Sequence, residues 1–126
     1  MENPNLLSPS TLAFVGDGVY GLLVRARLAG INRPAGELHK LSVAMVNANA
    51  QAAAYEVIAP QLTEKELAVF KRGRNFHTTS IPKSSDCGRY HTATGLEALF
   101  GYLYLNGETE RLNMLFSQIW AQAAKE

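Results

Sequence analysis

The chain of 126 residues is 47% hydrophobic and 18% charged, which is enough apolar material for one domain over residues 1–126 and leaves no room for a second. Its net charge of +1 says nothing by itself about a polyanionic partner. The chain has one cysteine and no zinc-ligand spacing, which excludes disulfide scaffolds and zinc ribbons. It has no signal peptide and no apolar run of membrane length, so secreted and membrane-spanning proteins are excluded and a cytoplasmic protein is predicted.

The first predicted helix begins at Ser8-Pro9, because serine is a favourable N-cap and proline suits the first helical position, and it extends to Gly30. One face carries apolar residues at spacings of three and four. The opposite side also carries Phe14 and Tyr20. Because apolar residues surround this helix, we expect it to lie at the centre of the fold.

A second amphipathic helix ends near Ala59-Pro60, because the residue before proline disfavours helical geometry. Its polar side includes Lys40, Asn47 and Gln51, which we expect to face solvent. Its apolar face consists of Leu38, Leu41, Met45, Ala48, Ala52 and Tyr55.

A third helix starts at Thr63, which forms a predicted capping box with Glu66, and reaches Phe70 or Arg72 before Gly73. From residue 73 to about residue 90 no period is visible, which predicts a long and therefore functional loop. Residues 71–91 hold five basic residues and one acidic residue, a local net charge of +4 that leaves −3 on the rest of the chain.

We expect these cations to bind a polyanion: Lys71, Arg72, Arg74, Lys83 and Arg89. For Lys71 and Arg72 the alternative is that they stabilise the C-terminus of the third helix. The other three lie outside the predicted helices.

Two further helices complete the chain. The segment ATGLEALFGYLYLNG is a strongly apolar helix that ends at Asn106-Gly107. The last helix packs through one side, formed by Leu112, Leu115, Phe116, Ile119, Trp120 and Ala123. Because no β-rich segment or internal repeat occurs, the predicted fold class is all-α.

Each of the two most apolar helices contains one acidic residue in its middle, Asp17 in FVGDGVYG and Glu97 in TGLEALFG. A carboxylate inside a packed helix loses its hydration, so it must be neutral, paired or bound to a metal ion. Neither acid has a basic residue within four positions, whereas Gly16, Gly18 and Gly95 would let the two helices approach closely. Two acids that meet there would repel each other unless a cation joined them.

A site of carboxylate oxygens and water suits Mg²⁺, or Mn²⁺ as a substitute, and such an ion promotes phosphodiester hydrolysis. The alternative for each acid is a local cap or hydrogen-bond anchor. The remaining candidates are expected to be surface histidines, packing tyrosines and an inert cysteine: His39, His77, His91, Tyr102, Tyr104 and Cys87.

LAFVGDGVY resembles the signature helix of ribonuclease III domains, and TGLEALFGYLYLNG resembles the second acidic helix of that family. The stretches KRGRN and IPKS and the run over residues 90–112 are similar to its mini-ribonuclease III branch, which lacks a double-stranded RNA-binding domain. The resemblance covers essentially the whole chain. It implies a helical ribonuclease III-type endonuclease domain in which Asp17 and Glu97 are the catalytic and metal-binding carboxylates.

The resemblance also implies a homodimer that cleaves both strands of double-stranded RNA and, in the mini branch, matures the bacterial large-subunit ribosomal RNA precursor. A two-fold axis in the protein matches the approximate two-fold symmetry of an RNA duplex, which proteins recognise by shape. The polar side of the second helix, which includes Gln51, would then contact the minor groove of the RNA as an alternative to facing solvent. Two further acids of the full-length family are replaced here by Ala13 and Thr94, which leaves the number of metal ions open.

Three hypotheses follow. The first is a Mg²⁺-dependent endonuclease of double-stranded RNA. The second is a catalytically silent member that binds structured RNA, against which stand two acids that a pure binder would not need. The third, independent of the resemblance, is a helical-bundle carboxylate protein with iron or manganese chemistry, although this chain has no Glu-x-x-His pair.

Overall fold

The computed structural model describes residues 3–76 and 87–125, and over these two segments it contains helices and no strand, which confirms the all-α prediction. Short 3₁₀ turns occupy Pro4–Leu6 and Ala59–Gln61. In the described segments no helix combines the length and apolar character needed to cross a bilayer. The described residues form the α-helices α1 Pro9–Ala29, α2 Ala35–Val46, α3 Ala48–Ile58, α4 Glu64–Arg74, α5 Cys87–Leu105 and α6 Thr109–Ala124.

The core is built around α5, which packs against α1, α3 and α4 and makes its most extensive contact with α1. Every residue from Leu96 to Leu103 is buried except Glu97, which is half-buried. The prediction that α1 is surrounded by the core is wrong, because Phe14 and Leu22 are 81% and 65% exposed. One side of α1 covers α5, and its other side carries apolar residues at the surface.

Two glycines let α1 and α5 touch backbone to backbone. A Cβ atom on Gly16 would lie 1.6 Å from the carbonyl oxygen of Glu97, and one on Gly101 would lie 2.0 Å from the carbonyl oxygen of Leu12. The predicted close approach is therefore confirmed at Gly16. The other two flanking glycines act differently, since Gly18 has open space beside it and Gly95 packs against Phe70 of α4.

A break at Asn47 separates α2 from α3, so the prediction of one continuous helix is wrong. The Asn47 backbone is extended, with φ −69° and ψ 163°. Its Oδ1 accepts a hydrogen bond from the Ala50 amide at 2.8 Å, and its Nδ2 donates to the carbonyl oxygens of Val43 and Ala44, each at 3.2 Å. One side chain thus caps both helix ends. The three- and four-residue spacing of apolar residues continues from α2 into α3, so this spacing alone predicts one helix.

The predicted end of the third helix before Gly73 is also wrong, because α4 continues to Arg74. A Cβ atom on Gly73 would lie 2.6 Å from the Cβ atom of Ala98 and 3.0 Å from the Cα atom of Gly95. Gly73 therefore serves the close packing of α4 on α5 and does not end the helix. Arg74 is helical, contrary to the prediction.

The first turns of α5 lie within the segment predicted as a loop. This helix begins at Cys87, several residues before the predicted start, so Arg89 is also helical. The preceding part of the predicted loop, which includes Lys83, lies outside the described residues. The early start was missed because Cys87–Thr92 are polar or small on every side and show no apolar period.

Other predicted helix boundaries are confirmed. Ser8 accepts a hydrogen bond from the Thr11 amide at 3.2 Å and caps α1. Thr63 and Glu66 form the capping box of α4 through bonds of 2.9 and 3.1 Å. Glu66 also pairs with Arg111 of α6 at 2.7 Å, which ties α4 to α6.

The last two helices also follow the sequence pattern. α5 ends at Leu105, and Gly107 adopts a left-handed conformation with φ 72°, as expected of a glycine that follows a helix. On the predicted packing side of α6, Trp120 is half-buried and Ala123 is exposed. The other four predicted positions are buried: Leu112, Leu115, Phe116 and Ile119.

Candidate active site

The side chains of Asp17 and Glu97 meet where α1 crosses α5. The bare backbone of Gly16 lies against the backbone of Glu97, so the next residue of α1 stands beside the acidic residue of α5. The two carboxyl groups are close enough for Asp17 to disfavour ionisation of Glu97. The structure therefore brings together the two acids that the sequence singled out.

The two acids differ in their exposure, which corrects the prediction that both are buried. Asp17 is exposed and Glu97 is half-buried. The apolar composition of α1 predicts a helix that is buried on all sides. In the structure the side of α1 that carries Asp17 faces solvent, as the exposed Phe14 and Gly18 do. The argument that a buried carboxylate needs a partner thus holds for Glu97 alone.

Electrostatics make the pair a site that favours a cation. Burial, and then the neighbouring Asp17 carboxylate, raise the pKa of Glu97 to about 8, although a hydrogen bond from Gln51 acts in the opposite direction. A carboxyl group with such a pKa resists ionisation beside a second carboxylate. A divalent cation between the two groups would remove that resistance.

Gln51 is the site residue that sequence reasoning placed wrongly. It was expected on a solvated face, yet it is 1% exposed and its Nε2 donates to Oε2 of Glu97 at 3.4 Å. The break at Asn47 turns α3 relative to α2, so a position that is polar on one continuous helix faces α5 instead. The signal in the sequence is Asn47 itself, because asparagine is a favourable N-cap and therefore indicates that a new helix begins there.

The donor set fits a hard divalent ion. Mg²⁺ commonly binds through one or two carboxylates while it keeps several waters. Within residues 3–76 and 87–125 no histidine, cysteine or further acidic residue joins Asp17 and Glu97 to make a group of three potential metal ligands. Ala13 is buried and has no donor, and the Thr94 hydroxyl donates to the Tyr90 carbonyl of its own helix at 3.0 Å. The pair therefore acts with few protein ligands, and no histidine supports the iron or manganese hypothesis in these segments.

The predicted cations that the structure describes lie at two helix ends near the pair. Lys71, Arg72 and Arg74 are in the last turn of α4, which packs on α5 within one turn of Glu97. Arg72 donates to the Leu7 carbonyl at 3.0 Å. Lys71 is exposed and Arg74 is partly exposed, so both place positive charge at the surface. Their place in a last helical turn also suits the macrodipole, so that alternative stays open for Lys71 and Arg72.

Arg74 and Arg89 are both partly engaged within the protein. The Arg74 guanidinium lies 5.7 Å from the centre of the Phe70 ring. Arg89 is exposed in the first turns of α5, and its Nη1 donates to Oδ1 of Asn49 at 3.3 Å. Arg89 precedes Glu97 by about 12 Å along the helix axis, at ~1.5 Å per residue. Lys83 and His77 lie outside the described residues.

Other side chains named from the sequence have no place in the carboxylate pair. His39 is exposed, as expected, whereas His91 is half-buried, and Cys87 is exposed at the start of α5. Tyr102 is buried and packs, as predicted, but Tyr104 is exposed and does not.

The outer member of the carboxylate pair, Asp17, is exposed to solvent. Clefts of about 560 and 570 Å³ lie elsewhere, the first between α2, α3 and α6 and the second between α3 and the start of α5, and neither is lined by Asp17 or Glu97. A small-molecule site is usually concave and encloses most of its ligand. A carboxylate pair with one exposed member and with cations on neighbouring helix ends is suited to a large anionic substrate.

Comparisons with known proteins identify relatives of this chain. A family model of the ribonuclease III domain matches residues 10–108. Mini-ribonuclease 3 of Thermoanaerobacter sp. (strain X514) is 48% identical over 107 residues, which cover 84% of this chain and 75% of the relative. Mini-ribonuclease 3 of Symbiobacterium thermophilum is 46% identical over 115 residues, which cover 90% and 88%. A crystal structure of a protein from Fusobacterium nucleatum has a TM-score of 0.88 at 28% identity and covers 98% of this chain and 99% of that one. The chain therefore belongs to the ribonuclease III family of endoribonucleases.

Proposed function

We propose that this protein is a Mg²⁺-dependent endonuclease of double-stranded RNA, with Mn²⁺ as a substitute ion, and that Asp17 and Glu97 are its metal-binding and catalytic residues. The observation that carries the proposal is the convergence of these two carboxylates from α1 and α5, with Asp17 exposed to solvent. Its support from outside the structure is membership of the ribonuclease III family.

The two acids would divide the work according to their exposure. Asp17 is exposed and is accessible to both solvent and an approaching phosphate, whereas the half-buried Glu97 anchors the site from the core helix. The bound ion would lower the pKa of water and stabilise the negative charge that develops on the phosphate during hydrolysis. Rigid helices hold both carboxylates, and such placement limits the reorganisation needed during the reaction.

The substrate proposal rests on shape and charge. Lys71, Arg72, Arg74, Lys83 and Arg89 are proposed to bind the RNA backbone, because phosphate contacts provide most of the affinity for a duplex. A-form RNA offers little sequence information to side chains and is recognised through its phosphates and 2′-hydroxyls. The proposed natural substrate is the precursor of the large-subunit ribosomal RNA in the cytoplasm, which follows the resemblance to the mini-ribonuclease III branch.

A homodimer is part of the proposal, and α1 supplies the surface for it. Phe14, Gly18 and Leu22 form one stripe at four-residue spacing, and both apolar side chains are more than half exposed. A second copy that covered this stripe would place its own Asp17 near the same axis, since Asp17 lies beside the stripe. Two equivalent sites related by a two-fold axis suit the two strands of a duplex. A monomer in sedimentation experiments on the cleaving protein would contradict this arrangement.

A substrate panel tests the proposed activity. The purified protein should cut a long RNA duplex in Mg²⁺, and it should leave the duplex intact when a chelator removes the ion. Matched single-stranded RNA and duplex DNA of the same sequence are the controls, and both should stay uncut. A duplex that is bound but never cut in Mg²⁺ or Mn²⁺ would favour the silent RNA-binding hypothesis. Equal cutting of single strands would contradict the duplex specificity.

Neutralising cations near the site should weaken RNA binding in a salt-dependent way. In Lys71→Gln combined with Arg89→Gln, the slope of log affinity against log salt should fall by about two, roughly one for each lost phosphate contact. Binding is measured by titration of duplex RNA in chelator, so that no cleavage occurs. Lys125→Gln is the control, since Lys125 is exposed at the end of α6. Identical slopes for the double variant and the native protein would show that Lys71 and Arg89 do not contact the RNA backbone.

A further inference from the structure

Gln51 reaches the proposed metal site from a third helix. The Asn47 cap fixes the first turn of α3, and Gln51 follows one turn later, with its backbone amide bonded to the Asn47 carbonyl at 3.0 Å. Its side chain is 1% exposed, and its Nε2 donates to Oε2 of Glu97 at 3.4 Å. Burying a polar amide is costly unless it makes hydrogen bonds, so this contact gives the buried position a physical reason.

The bond restrains the carboxylate that α5 contributes. A free glutamate rotates about its last side-chain bond, because that torsion has a broad energy profile. Donation to Oε2 selects one orientation of the carboxylate plane and leaves the remaining lone pairs of the group for a cation. Metal-ligating carboxylates are commonly held by such outer hydrogen bonds.

An amide suits this position better than a cation would. A lysine or arginine in the place of Gln51 would neutralise Glu97 and compete with a divalent ion for the pair. Glutamine donates a hydrogen bond and adds no charge, so the negative charge of Asp17 and Glu97 stays available to the metal.

We infer that Gln51 is a positioning residue that orients the Glu97 carboxylate for metal binding. The inference rests on the proposed metal site of Asp17 and Glu97. The competing explanation is that Gln51 only fills space between α3 and α5, in which case its hydrogen bond has no effect on the metal.

The Mg²⁺ dependence of cleavage separates these explanations. Gln51→Met keeps the length of the side chain and removes the donor. The Mg²⁺ concentration for half-maximal cleavage of duplex RNA should rise about 10- to 100-fold, the usual effect of losing a partner of a metal ligand. The rate should recover as Mg²⁺ is raised, and RNA affinity in chelator should not change. Gln51→Leu, which fills a different shape without a donor, should show the same shift.

Two controls keep the test decisive. Ile58→Val removes a buried methyl group at the end of α3, about 10 Å beyond Gln51 along the helix axis, and it should lower the melting temperature without changing the Mg²⁺ dependence. Each variant is assayed well below its own melting temperature. An unchanged Mg²⁺ dependence in the folded Gln51 variants, together with loss of cleavage in Glu97→Gln, would overturn the positioning role alone. Native cleavage by Glu97→Gln would overturn the proposed metal site and the role of Gln51 with it.

Discussion

Glu97→Gln should abolish cleavage of duplex RNA, with a loss of at least about 10³-fold, while the helical fold and RNA binding persist. The amide is nearly the same shape as the carboxylate, so the packing of α5 should tolerate it. It lowers the charge that the pair can offer a bound metal ion from −2 to −1, and it replaces a strong Mg²⁺ ligand by a weak one. Asp17→Asn should have an effect of similar size, because both acids are needed to bind the ion.

Cleavage rates at saturating Mg²⁺ check this expectation. Glu110→Gln is the matched control, since Glu110 is exposed in the first turn of α6. It should keep the native rate. Native turnover by Glu97→Gln or Asp17→Asn would remove that residue from the mechanism.

The same substitution should stabilise the protein when no metal is present. Burial, and then Asp17, raise the pKa of Glu97 from 4.5 to about 8 in the folded chain. The folded state then binds more protons than the unfolded state, so the contribution of Glu97 to stability is full below the unfolded pKa and is lost as the pH rises toward the folded one. Glutamine does not ionise. Thermal melting in chelator should therefore show Glu97→Gln melting above the native chain near pH 8, with a smaller difference near pH 5.

Much of the fold could be predicted from local chemistry in the sequence. The Ser8 cap, the capping box of Thr63 and Glu66 and the glycine that follows α5 each depend on residues a few positions apart, and each is confirmed. The convergence of Asp17 and Glu97 was predicted for a related reason, because their glycine neighbours marked a close helix approach.

The errors arise where tertiary contacts decide the outcome. Gly73 was interpreted as a helix end, but it lies inside α4 because Ala98 and Gly95 leave no room for a side chain. Asn47 caps two helices at once, and Gln51 is buried as a consequence. The prediction that α1 is surrounded by the core fails at the exposed Phe14 and Leu22, since hydrophobicity alone does not distinguish a core position from an apolar position at the surface.

Gly16→Ala should damage the fold and the site together. The added Cβ would lie 1.6 Å from the carbonyl oxygen of Glu97, 2.4 Å from its carbonyl carbon and 2.9 Å from its Cα atom. These are backbone atoms of the central helix, so no side-chain rotation relieves the clash, and α1 must move away from α5. We expect a loss of about 3 kcal/mol or more in the free energy of unfolding, at the upper end for overpacked cores.

Gly36→Ala supplies the control for that measurement, because a Cβ atom there meets nothing within 4 Å. It replaces a helical glycine of α2 and should change stability by less than about 1 kcal/mol, in the stabilising direction. Urea unfolding of both variants gives the comparison, and cleavage at a temperature where Gly16→Ala is still folded gives the second readout. Separating α1 from α5 also separates Asp17 from Glu97, so the folded variant should need more Mg²⁺ to cleave. Equal unfolding free energies for the two variants would show that the contact between α1 and α5 yields easily, and the distance between the two carboxylates would then be set by the metal and not by the fold.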